Sequence, residues 1–380
     1  MQSKNITFLI ESLDGGGAER VTSILANEFS NKGFNVKMII LSEAEKEYYV
    51  NPNVKKYYLT LKKSSNKYKK LADNFMEIYP LIKRLKSDVI ISLAMPVTNI
   101  HLLPILLFSK KKVILSERSN PEKLPRQYLL KKVRNMQLRL ADSIVFQTTD
   151  AKEYFSPAIQ KKGRLIPNPI SNELPMPHVG RRKKEIVNFC RLDAGKNLPM
   201  LIDAFMMFVE EFPDYKLSIY GRGCLEQELK EYAKAKQSKE NQITFHGHKD
   251  DLHETIKSNA IYVSSSNYEG ISNSMLEAMA IGLPTICTDC PVGGARMIIK
   301  PYENGMLIPV NDTIALYKAM KELALDESLS HKLSKNAFQI REELSVEKIF
   351  NYWKGIVEGR GEGFSVDSRQ MEQYHSEHLQ

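Results

Sequence analysis

The chain has 380 residues, of which 42% are hydrophobic and 26% are charged, and it carries a formal net charge of +9. That length exceeds one typical domain and predicts two, and the composition is ordinary for a soluble globular protein. The longest apolar stretch, residues 100–108, contains His101 and Pro104 and falls short of the roughly 18 residues that a membrane span requires. We therefore expect no membrane-spanning helix.

The first residues lead straight into an alternating strand rather than a long apolar run, so we expect no signal peptide and a cytoplasmic protein. In that compartment the four cysteines, Cys190, Cys224, Cys287 and Cys290, are expected to be reduced thiols. Cys287 and Cys290 have the spacing of a metal or redox motif. No second Cys or His pair lies nearby, so we expect no metal site there.

The first half of the chain alternates between strands and helices, as a parallel sheet requires. A strand at 6–10 turns at residues 14–17 (DGGG) into a helix near 18–31, and a second strand follows at 36–41. The turn is not a dinucleotide fingerprint, because Arg20 stands where a third glycine is needed. Its glycines let the backbone approach a ligand closely, although a simple tight turn has the same sequence. Later elements continue the alternation, with strands at 89–92, 113–115, 143–146 and 164–166 and helices at 71–86 and 129–140.

The alternation lapses where Pro175, Pro177, Gly180 and a basic run indicate a linker, and it then restarts. In the second half, strands are predicted at 186–189, 215–220, 243–245, 260–263, 285–287 and 305–308, and helices at 197–212, 225–235, 251–258, 315–324 and 327–341. The predicted division is a first domain at 1–170, a linker at 171–184, a second domain at 185–345, a helix at 346–358 that can return to the first domain, and a polar tail at 359–380. We expect the tail to be disordered.

One stretch of the second half combines a helix start with two carboxylates. The strand 260–263 leads into small polar residues, and a helix begins near Ser272 or Asn273. The N–H groups at such a start face the carboxyl edge of the sheet and attract phosphate. Glu269 lies in the loop and Glu277 on the second helical turn. Carboxylates beside a phosphate accept hydrogen bonds from hydroxyl groups, as sugars and ribose offer. Glu277 alone is also explained by the favourable interaction of a carboxylate with the positive end of the helix dipole.

Basic residues concentrate in two runs, at 55–86 and 110–139. The first run holds ten Lys or Arg against Asp73 and Glu77, with aromatic residues interleaved. A solvated surface and an electrostatic patch for an anionic partner are both compatible with this pattern. An anionic membrane or a lipid diphosphate fits better than nucleic acid, because no nucleic-acid motif is present.

The spacing from Glu269 to Glu277, followed by AMAIGLP at 278–284, resembles the signature of retaining glycosyltransferases of family 4. Further segments resemble motifs of that family in order and spacing from about residue 5 to about residue 345, namely 14–20 (DGGGAER), 189–197 (FCRLDAGKN), 220–223 (YGRG), 245–247 (FHG) and 303–309 (ENGMLIP). Two positions depart from the pattern. Cys190 replaces a common glycine, and Arg118 stands where a histidine is common.

The resemblance implies an α/β fold of GT-B architecture, in which two Rossmann-like doubly wound domains face a central cleft. The first domain would bind the acceptor and the second a nucleotide-sugar donor. Glu269 would contact the transferred sugar and Glu277 the donor ribose. Arg191 and Lys196 are cations near a helix start that can stabilise a leaving diphosphate, whereas the plainer interpretation is surface charge. No Asp-x-Asp motif stands at a strand end, so no metal and no other cofactor is expected.

The residue assignments follow from the resemblance. The predicted catalytic residues are Arg191, Lys196 and Glu269. The predicted donor-binding residues are Gly16, Gly17, Gly221, Gly223, Gly270, Ile271, Ser272, Asn273 and Glu277. The acceptor-side candidates, which follow the strand at 113–115, are Glu117, Arg118 and Asn120.

The sequence thus predicts a retaining, metal-independent transferase that moves a hexosyl or N-acetylhexosaminyl group from a nucleotide-sugar, in particular a UDP-sugar, to a lipid-linked saccharide in bacterial surface-polysaccharide or glycan biosynthesis. The expected location is cytoplasmic and peripheral to the inner face of the plasma membrane, held through the basic patch of the first domain. One alternative is a nucleotide-sugar epimerase of the same fold, which would need neither that patch nor the GGAER turn. The other is a non-catalytic nucleotide-sugar or lipid-carrier binding module. The complete set of Arg191, Lys196, Glu269 and Glu277 argues against that alternative.

Overall fold

The computed structural model describes residues 4–59, 67–236, 241–361 and 363–364, without the side chains of 67–75. The chain divides into two compact units. The N-terminal unit spans Met1–Pro169 together with Val346–Phe364, and the C-terminal unit contains Ile170–Ser345. Among the helices of these described ranges, none is long and apolar enough to cross a membrane.

The N-terminal unit is a parallel sheet with helices. Its strands are β1 (Asn5–Ile10), β2 (Asn35–Ile40), β3 (Lys55–Tyr58), β4 (Val89–Ser92), β5 (Lys112–Glu117), β6 (Ser143–Phe146) and β7 (Gly163–Leu165). Its helices before the linker are α1 (Gly17–Asn31), α2 (Lys67–Arg84), α3 (Pro96–Asn99), α4 (Leu103–Phe108), α5 (Tyr128–Leu140), α6 (Thr149–Glu153) and α7 (Pro157–Gln160). A short 3₁₀ turn, Ile100–Leu102, joins α3 to α4.

The seven strands lie in the order β3-β2-β1-β4-β5-β6-β7, and every neighbouring pair is parallel. The central strands are almost wholly buried, because a parallel sheet is covered on both faces and selects continuous apolar runs. The strand order reverses between β1 and β4. In such sheets a ligand binds outside the carboxyl ends of the strands at this switch point, which is where the loops after β1, β4 and β5 lie.

The C-terminal unit repeats the plan with six strands. They are β8 (Lys183–Phe189), β9 (Lys216–Tyr220), β10 (Ile243–Gly247), β11 (Asn259–Ser264), β12 (Thr285–Thr288) and β13 (Met306–Ile308). The helices are α8 (Leu198–Glu211), α9 (Glu226–Lys236), α10 (Leu252–Ile256), α11 (Asn273–Ala280), α12 (Thr313–Leu325), α13 (Glu327–Ala337) and α14 (Ile340–Glu343).

This second sheet has the order β10-β9-β8-β11-β12-β13, again all parallel, with its switch point between β8 and β11. Its core lies under α8 and α12, where Phe205, Phe208, Leu316 and Met320 are fully buried. The switch point places the loops after β8 and β11 side by side. Two doubly wound parallel α/β units with these strand orders confirm the predicted fold class.

The last helix, α15 (Val346–Glu358), belongs to the N-terminal unit. Its Phe350 ring meets the Phe29 ring of α1 edge-on at 4.8 Å, and Trp353 is buried. Beyond it, Phe364 N–H donates to the Leu165 carbonyl of β7 at 2.8 Å. The start of the tail that was expected to be disordered therefore packs along the sheet edge, and residues 365–380 lie outside the described residues.

The linker contains a half-buried anchor, Arg182, rather than only solvated charge. Arg182 donates from Nη1 to the carbonyls of Lys257 and Asn259, each at 3.0 Å, and from Nη2 to Ser334 Oγ at 2.9 Å. Burial lowers the pKa of this guanidinium to about 10. Strand β8 also begins at Lys183, three residues before the predicted Ile186, because it pairs with the start of β11.

Candidate active site

The start of α11 lies at the carboxyl edge of the C-terminal sheet, after β11. Ser272 is the N-cap, and its hydroxyl accepts a hydrogen bond from Met275 N–H at 3.4 Å. The Tyr262 hydroxyl at the centre of β11 donates to Ser274 Oγ at 3.0 Å and ties the first turn to the strand. Gly270, Ile271 and Ser272 are buried, whereas Asn273, the first helical residue, is half-buried. The predicted capping residue and helix start agree with the structure.

Lys196 and Glu269 form an ion pair at this edge. Lys196 ends a 3₁₀ turn after β8, and its ammonium contacts Glu269 Oε2 directly, with the two side chains 16% and 29% exposed. Burial by itself lowers the pKa of Lys196, but the Glu269 carboxylate outweighs it, so the pKa is raised above its usual value. The structure therefore brings two of the three predicted catalytic residues into one partly desolvated, charge-balanced pair.

Arg191, the third predicted catalytic residue, lies on the same loop but is far more exposed. Its Nε donates to Asp193 Oδ2 at 2.6 Å, and 78% of its side chain is accessible. The hydrogen bond to Asp193 is the main reason why the pKa of Arg191 is raised. Asp193 also caps the 3₁₀ turn through Gly195 N–H at 2.9 Å, so Arg191 is tethered to the loop that presents Lys196.

The backbone around Lys196 is fixed by residues that the sequence reasoning did not single out. Ser265 Oγ donates to the carbonyls of Lys196 and Asn197 at 2.9 and 3.0 Å. Asn197 adopts the left-handed conformation, with φ 46 and ψ 47, which Asn tolerates better than most residues. Its amide donates to Asn267 and Asn311 at 3.0 and 2.8 Å. These hydrogen bonds tie together the loops that follow β8, β11 and β13.

The loop that carries Glu269 is held by a second segment, residues 291–294. Glu269 N–H donates to the Pro291 carbonyl at 2.7 Å, and Val292 N–H donates to the Glu269 carbonyl at 3.0 Å. Gly294 lies so close that a β-carbon there would be 1.9 Å from the Gly270 carbonyl oxygen. Only glycine allows this approach, so the position of the Glu269 peptide depends on a residue that no motif had indicated.

Gly221 and Gly223 have a packing role in the structure. Gly221 has φ +129, and a β-carbon on it would be 1.9 Å from the Cys190 carbonyl oxygen. A β-carbon on Gly223 would be 2.2 Å from the Leu192 carbonyl oxygen. Both glycines therefore let the loop after β9 lie against the Cys190–Leu192 segment, which precedes Lys196.

Glu277 is buried on the second turn of α11, as the sequence placed it. Its Oε2 lies 2.8 Å from Nε2 of His253 in α10, with the two side chains 10% and 24% exposed. The His253 ring meets the Phe189 ring of β8 edge-on, at 5.8 Å between centroids. Sequence reasoning did not identify His253, because the pairing joins two helices that are separated by a strand and a loop.

The cysteines of this unit differ in exposure, since Cys287 and Cys290 are buried, Cys190 is half-buried and Cys224 is exposed. All four in the chain are free, and burial raises the pKa of Cys190 and of Cys290 to about 12. Among the described residues no group of three His, Cys, Asp or Glu side chains is arranged to hold a metal ion. Cys287 and Cys290 are both buried at the end of β12.

In the N-terminal unit, the glycine turn leads into α1 as predicted. Gly16 is the residue before the helix, and its N–H donates to the Asp14 carbonyl at 2.7 Å. Gly17 is the first helical residue. The Glu19 side chain folds back over the turn, so closely that a β-carbon on Gly16 would lie 1.8 Å from Glu19 Oε2. Burial raises the pKa of Glu19, against opposing effects that include the charge of Arg118.

The acceptor-side candidates separate into two kinds. Glu117 is buried, accepts from Ser119 Oγ at 2.7 Å and lies 3.9 Å from Arg134 Nη1. Asn120 is buried too, and its Oδ1 accepts from Glu122 N–H at 2.9 Å. In this structure both side chains organise the loop after β5 rather than face solvent. The sequence could not show this, because Arg134 comes from the next helix.

Arg118 differs from its neighbours because part of its side chain reaches solvent. Its Nη2 donates to Asn168 Oδ1 and its Nη1 donates to Ser116 Oγ at 3.5 Å. Both of these acceptors are neutral side chains. Burial lowers the pKa of Arg118 to about 10. Of the three acceptor-side candidates, Arg118 is the one whose side chain is partly exposed.

Each of the two units is matched by a protein-family model. The family model "Glycosyltransferase Family 4" matches residues 15–174, and "Glycosyl transferases group 1" matches residues 177–340. The chain is a GT-B glycosyltransferase of the family 4 type. The two matches together cover the glycine turn of the N-terminal unit and the Lys196–Glu269 pair of the C-terminal unit.

The names of two curated relatives describe a transferase that acts on an undecaprenol-linked saccharide and a transferase of amylovoran biosynthesis. A Campylobacter jejuni protein, "GalNAc-alpha-(1->4)-GalNAc-alpha-(1->3)-diNAcBac-PP-undecaprenol alpha-1,4-N-acetyl-D-galactosaminyltransferase", is 27% identical over 358 residues, which cover 93% of this chain and 98% of the relative. The amylovoran biosynthesis glycosyltransferase AmsD of Erwinia amylovora is 24% identical and covers 93% of this chain and 99% of its own length.

Solved structures share the fold of this glycosyltransferase. Sucrose-phosphate synthase from Thermosynechococcus elongatus aligns with a TM-score of 0.79 at 18% identity, over 94% of this chain and 98% of that one. Anabaena HepE in complex with UDP and glucose aligns with a TM-score of 0.77 at 16% identity, over 93% of this chain and 99% of that one. At these identities the likeness concerns the fold alone.

Proposed function

We propose that this glycosyltransferase moves a hexosyl or N-acetylhexosaminyl group from a UDP-sugar to a lipid-linked saccharide, with retention of anomeric configuration. The observation that carries the proposal is the Lys196–Glu269 pair beside the start of α11. The pair supplies a cation for a leaving diphosphate and a carboxylate for sugar hydroxyls at one sheet edge. The acceptor class follows the undecaprenol-linked saccharide in the name of the Campylobacter relative, and the UDP donor follows the complex of HepE.

In the proposed reaction the bond between the anomeric carbon and the donor diphosphate breaks, and negative charge builds on the diphosphate. Lys196 and Arg191 stabilise that charge together with the N–H groups at the start of α11. Glu269 accepts hydrogen bonds from the transferred sugar and holds Lys196 in place. The acceptor hydroxyl attacks the face that the diphosphate leaves, and a phosphate oxygen takes its proton, so no enzyme nucleophile is required.

We further propose that Glu277 binds the ribose hydroxyls, and that Gly270, Ile271, Ser272 and Asn273 contribute the backbone that faces the phosphates. On the N-terminal unit, Gly17 supplies an N–H group at the start of α1, Gly16 lets the backbone approach a ligand closely, and Arg118 supplies a cation for the acceptor. A carboxylate binds hydroxyls but repels phosphate, which is why Glu277 is given the ribose and the helix start the diphosphate.

The transfer reaction is tested by incubation with a UDP-sugar and a diphosphate-linked lipid saccharide, with UDP and the product lipid measured together. Equal amounts of UDP and glycosylated lipid support transfer. Release of a free epimerised sugar would favour the epimerase alternative instead. Because two side-chain cations stabilise the leaving group, we expect the rate in EDTA to stay within twofold of the rate with Mg²⁺. Abolition of activity by the chelator would contradict the role given to Arg191 and Lys196.

The base and sugar of the donor can be tested separately from the reaction. A screen of nucleotide-sugars by thermal stabilisation reports binding without an acceptor, because a ligand that binds only the folded state raises the melting temperature. We expect UDP-sugars to give larger shifts than GDP-sugars or ADP-sugars. A preference for a purine nucleotide would overturn the UDP assignment and leave the transfer reaction intact.

We also propose that the N-terminal unit binds an anionic membrane surface. Lys62 and Lys63 of the first basic run lie outside the described residues, and the side chains of Lys69 and Lys70 are not described either. The second run is described and lies around α4 and α5, which contact each other. Neither residues 95–116 nor residues 123–141 contain an acidic residue.

Exposed apolar side chains accompany these basic residues on α3, α4, α5 and the segments beside these helices. Exposed large apolar residues of this surface are Met95, Val97, Leu107, Phe108, Tyr128, Leu129 and Met136. The exposed basic residues are Lys110, Lys123, Arg126, Lys132 and Arg139. Apolar side chains flanked by Lys and Arg suit the boundary between anionic headgroups and acyl chains.

Neutralisation of Lys110, Lys132 and Arg139 to Gln is expected to weaken binding to phosphatidylglycerol vesicles at least tenfold, since each basic residue near such a surface contributes about 1 kcal/mol. The loss should shrink at high salt. A matched control neutralises three exposed lysines of the C-terminal unit, Lys216, Lys234 and Lys318. Equal losses of vesicle binding in the two triple variants, measured by vesicle sedimentation, would contradict the proposed membrane-binding surface.

A further inference from the structure

His253 has no part in the motifs that identify the family, yet its side chain contacts the Glu277 carboxylate at the ribose end of the proposed site. Its Nε2 lies 2.8 Å from Glu277 Oε2. An ionised carboxylate only accepts hydrogen bonds, so the proton between these atoms belongs to His253, which donates it. Because Glu277 is buried, this hydrogen bond is sheltered from water and fixes the rotation of the carboxylate.

The surroundings of His253 also hold its ring. The ring packs edge-on against Phe189 at 5.8 Å between centroids, and Phe189 in turn contacts the Tyr262 ring at 5.0 Å. Tyr262 donates to Ser274 in the first turn of α11. His253 therefore packs directly on β8 and is linked through Phe189 to Tyr262 of β11, the other strand at the switch point.

We infer that His253 is a positioning residue that orients the Glu277 carboxylate, and that the pair enables the enzyme to discriminate a ribose from a sugar that lacks its hydroxyls. This inference rests on the proposed assignment of Glu277 to the donor ribose. The hydrogen bond from His253 fixes the direction in which the Glu277 carboxylate presents its oxygens. A rotating carboxylate would pay additional conformational entropy on binding.

Two substitutions separate the hydrogen bond from the packing. His253→Phe keeps an aromatic ring against Phe189 but removes the N–H donor. His253→Gln removes the ring and keeps an N–H donor of similar reach. Affinities are measured by calorimetry for UDP and for 2′,3′-dideoxy-UDP, which retains the base and both phosphates. The exposed pair of His248 and Asp250, at 3.2 Å, provides a matched control in His248→Phe.

For His253→Phe we expect UDP to bind about tenfold more weakly, the size of one hydrogen bond to a charged group. The affinity for dideoxy-UDP should stay within twofold of wild type. His253→Gln should recover most of the loss, and His248→Phe should change neither affinity. In turnover, His253→Phe should raise KM for the donor more than it lowers kcat, because the ribose contact exists before and during the reaction.

A double-mutant cycle tests the route through Glu277. His253→Phe added to Glu277→Gln should weaken UDP binding no further than Glu277→Gln alone, because the two residues act as one unit. Additive losses would overturn the inference, as would equal weakening of UDP and dideoxy-UDP in His253→Phe. Retention of full discrimination in His253→Phe would overturn it too.

The outcomes distinguish this inference from the function on which it rests. Wild-type enzyme that binds UDP and dideoxy-UDP equally would contradict the ribose assignment of Glu277, and the inference about His253 would be overturned with it. Wild-type enzyme that discriminates between the two, with the discrimination intact in His253→Phe, would contradict His253 alone. Wild-type enzyme that binds neither UDP nor GDP would contradict the nucleotide site itself.

Discussion

Replacement of Lys196 by Gln is expected to lower kcat about 10³-fold, the upper part of the range for the loss of one preorganised group that stabilises developing charge. Lys196 is largely buried and contacts Glu269 directly, so water cannot easily take the place of the ammonium group. The loss should appear mainly in kcat, because charge on the diphosphate grows only as the bond breaks. The assay is UDP release at saturating donor and acceptor.

Arg191→Gln is the matched control for this variant. Arg191 lies on the same loop, but 78% of its side chain is exposed, so solvent screens it and we expect a loss of only about tenfold. A kcat for Lys196→Gln within tenfold of wild type would contradict the role of Lys196, provided that the variant keeps its melting temperature. The raised pKa keeps Lys196 charged at every pH below its ordinary value of about 10.4. Deprotonation of Lys196 should therefore not limit the rate near neutral pH.

Gly294→Ala is expected to lower kcat/KM about 100-fold, although Gly294 carries no functional group. The new β-carbon would be 1.9 Å from the Gly270 carbonyl oxygen and 2.8 Å from Ile271 N. The backbone must move by about 1 Å to relieve this clash, and a displacement of that size at a catalytic group costs about 100-fold. Glu269 moves with its neighbour Gly270, so both the sugar contact and the support of Lys196 are disturbed. The measurement is the donor dependence of UDP release.

Gly33→Ala controls for a general loss of stability. Gly33 has φ +84 in the turn after α1, and nothing lies within 4 Å of a β-carbon there. That substitution strains the backbone without displacing a neighbour, so it should lower the melting temperature and leave kcat/KM within twofold. If both alanine variants lost activity only in proportion to melting temperature, the role of Gly294 in placing Glu269 would be wrong.

The sequence predicted most of the sheet because central parallel strands are continuous apolar runs. Strands β4 and β6 occupy the predicted residues, and β2 and β7 differ by one residue at each end. It missed the short strand β3 (Lys55–Tyr58), because Lys and Tyr at a sheet edge are partly exposed and resemble a basic surface. It also missed α3 and α4, where Pro96 and Pro104 interrupt the pattern but stand at first turns that tolerate proline.

The sequence predicted the charged groups of the candidate site but not the residues that hold those groups in place. Glu269 and Lys196 follow from motif spacing, and the structure pairs them. Asn197 stood inside a quoted motif, but its left-handed backbone and its bonds to two other loops depend on tertiary structure. Glu117 looked like a ligand-facing residue at a strand end, yet Arg134 of α5 covers it. Burial of a polar side chain by a later helix has no local signature in the sequence.

The measurement that tests the central claim most directly is the anomeric configuration of the product. The glycosylated lipid made from a UDP-α-sugar is analysed by proton NMR, where the coupling constant of the anomeric proton distinguishes α from β. The Lys196–Glu269 site, with attack on the face that the diphosphate leaves, predicts an α-linked product. A β-linked product would contradict retention at this site, and UDP release without a glycosylated lipid would contradict transfer to the lipid.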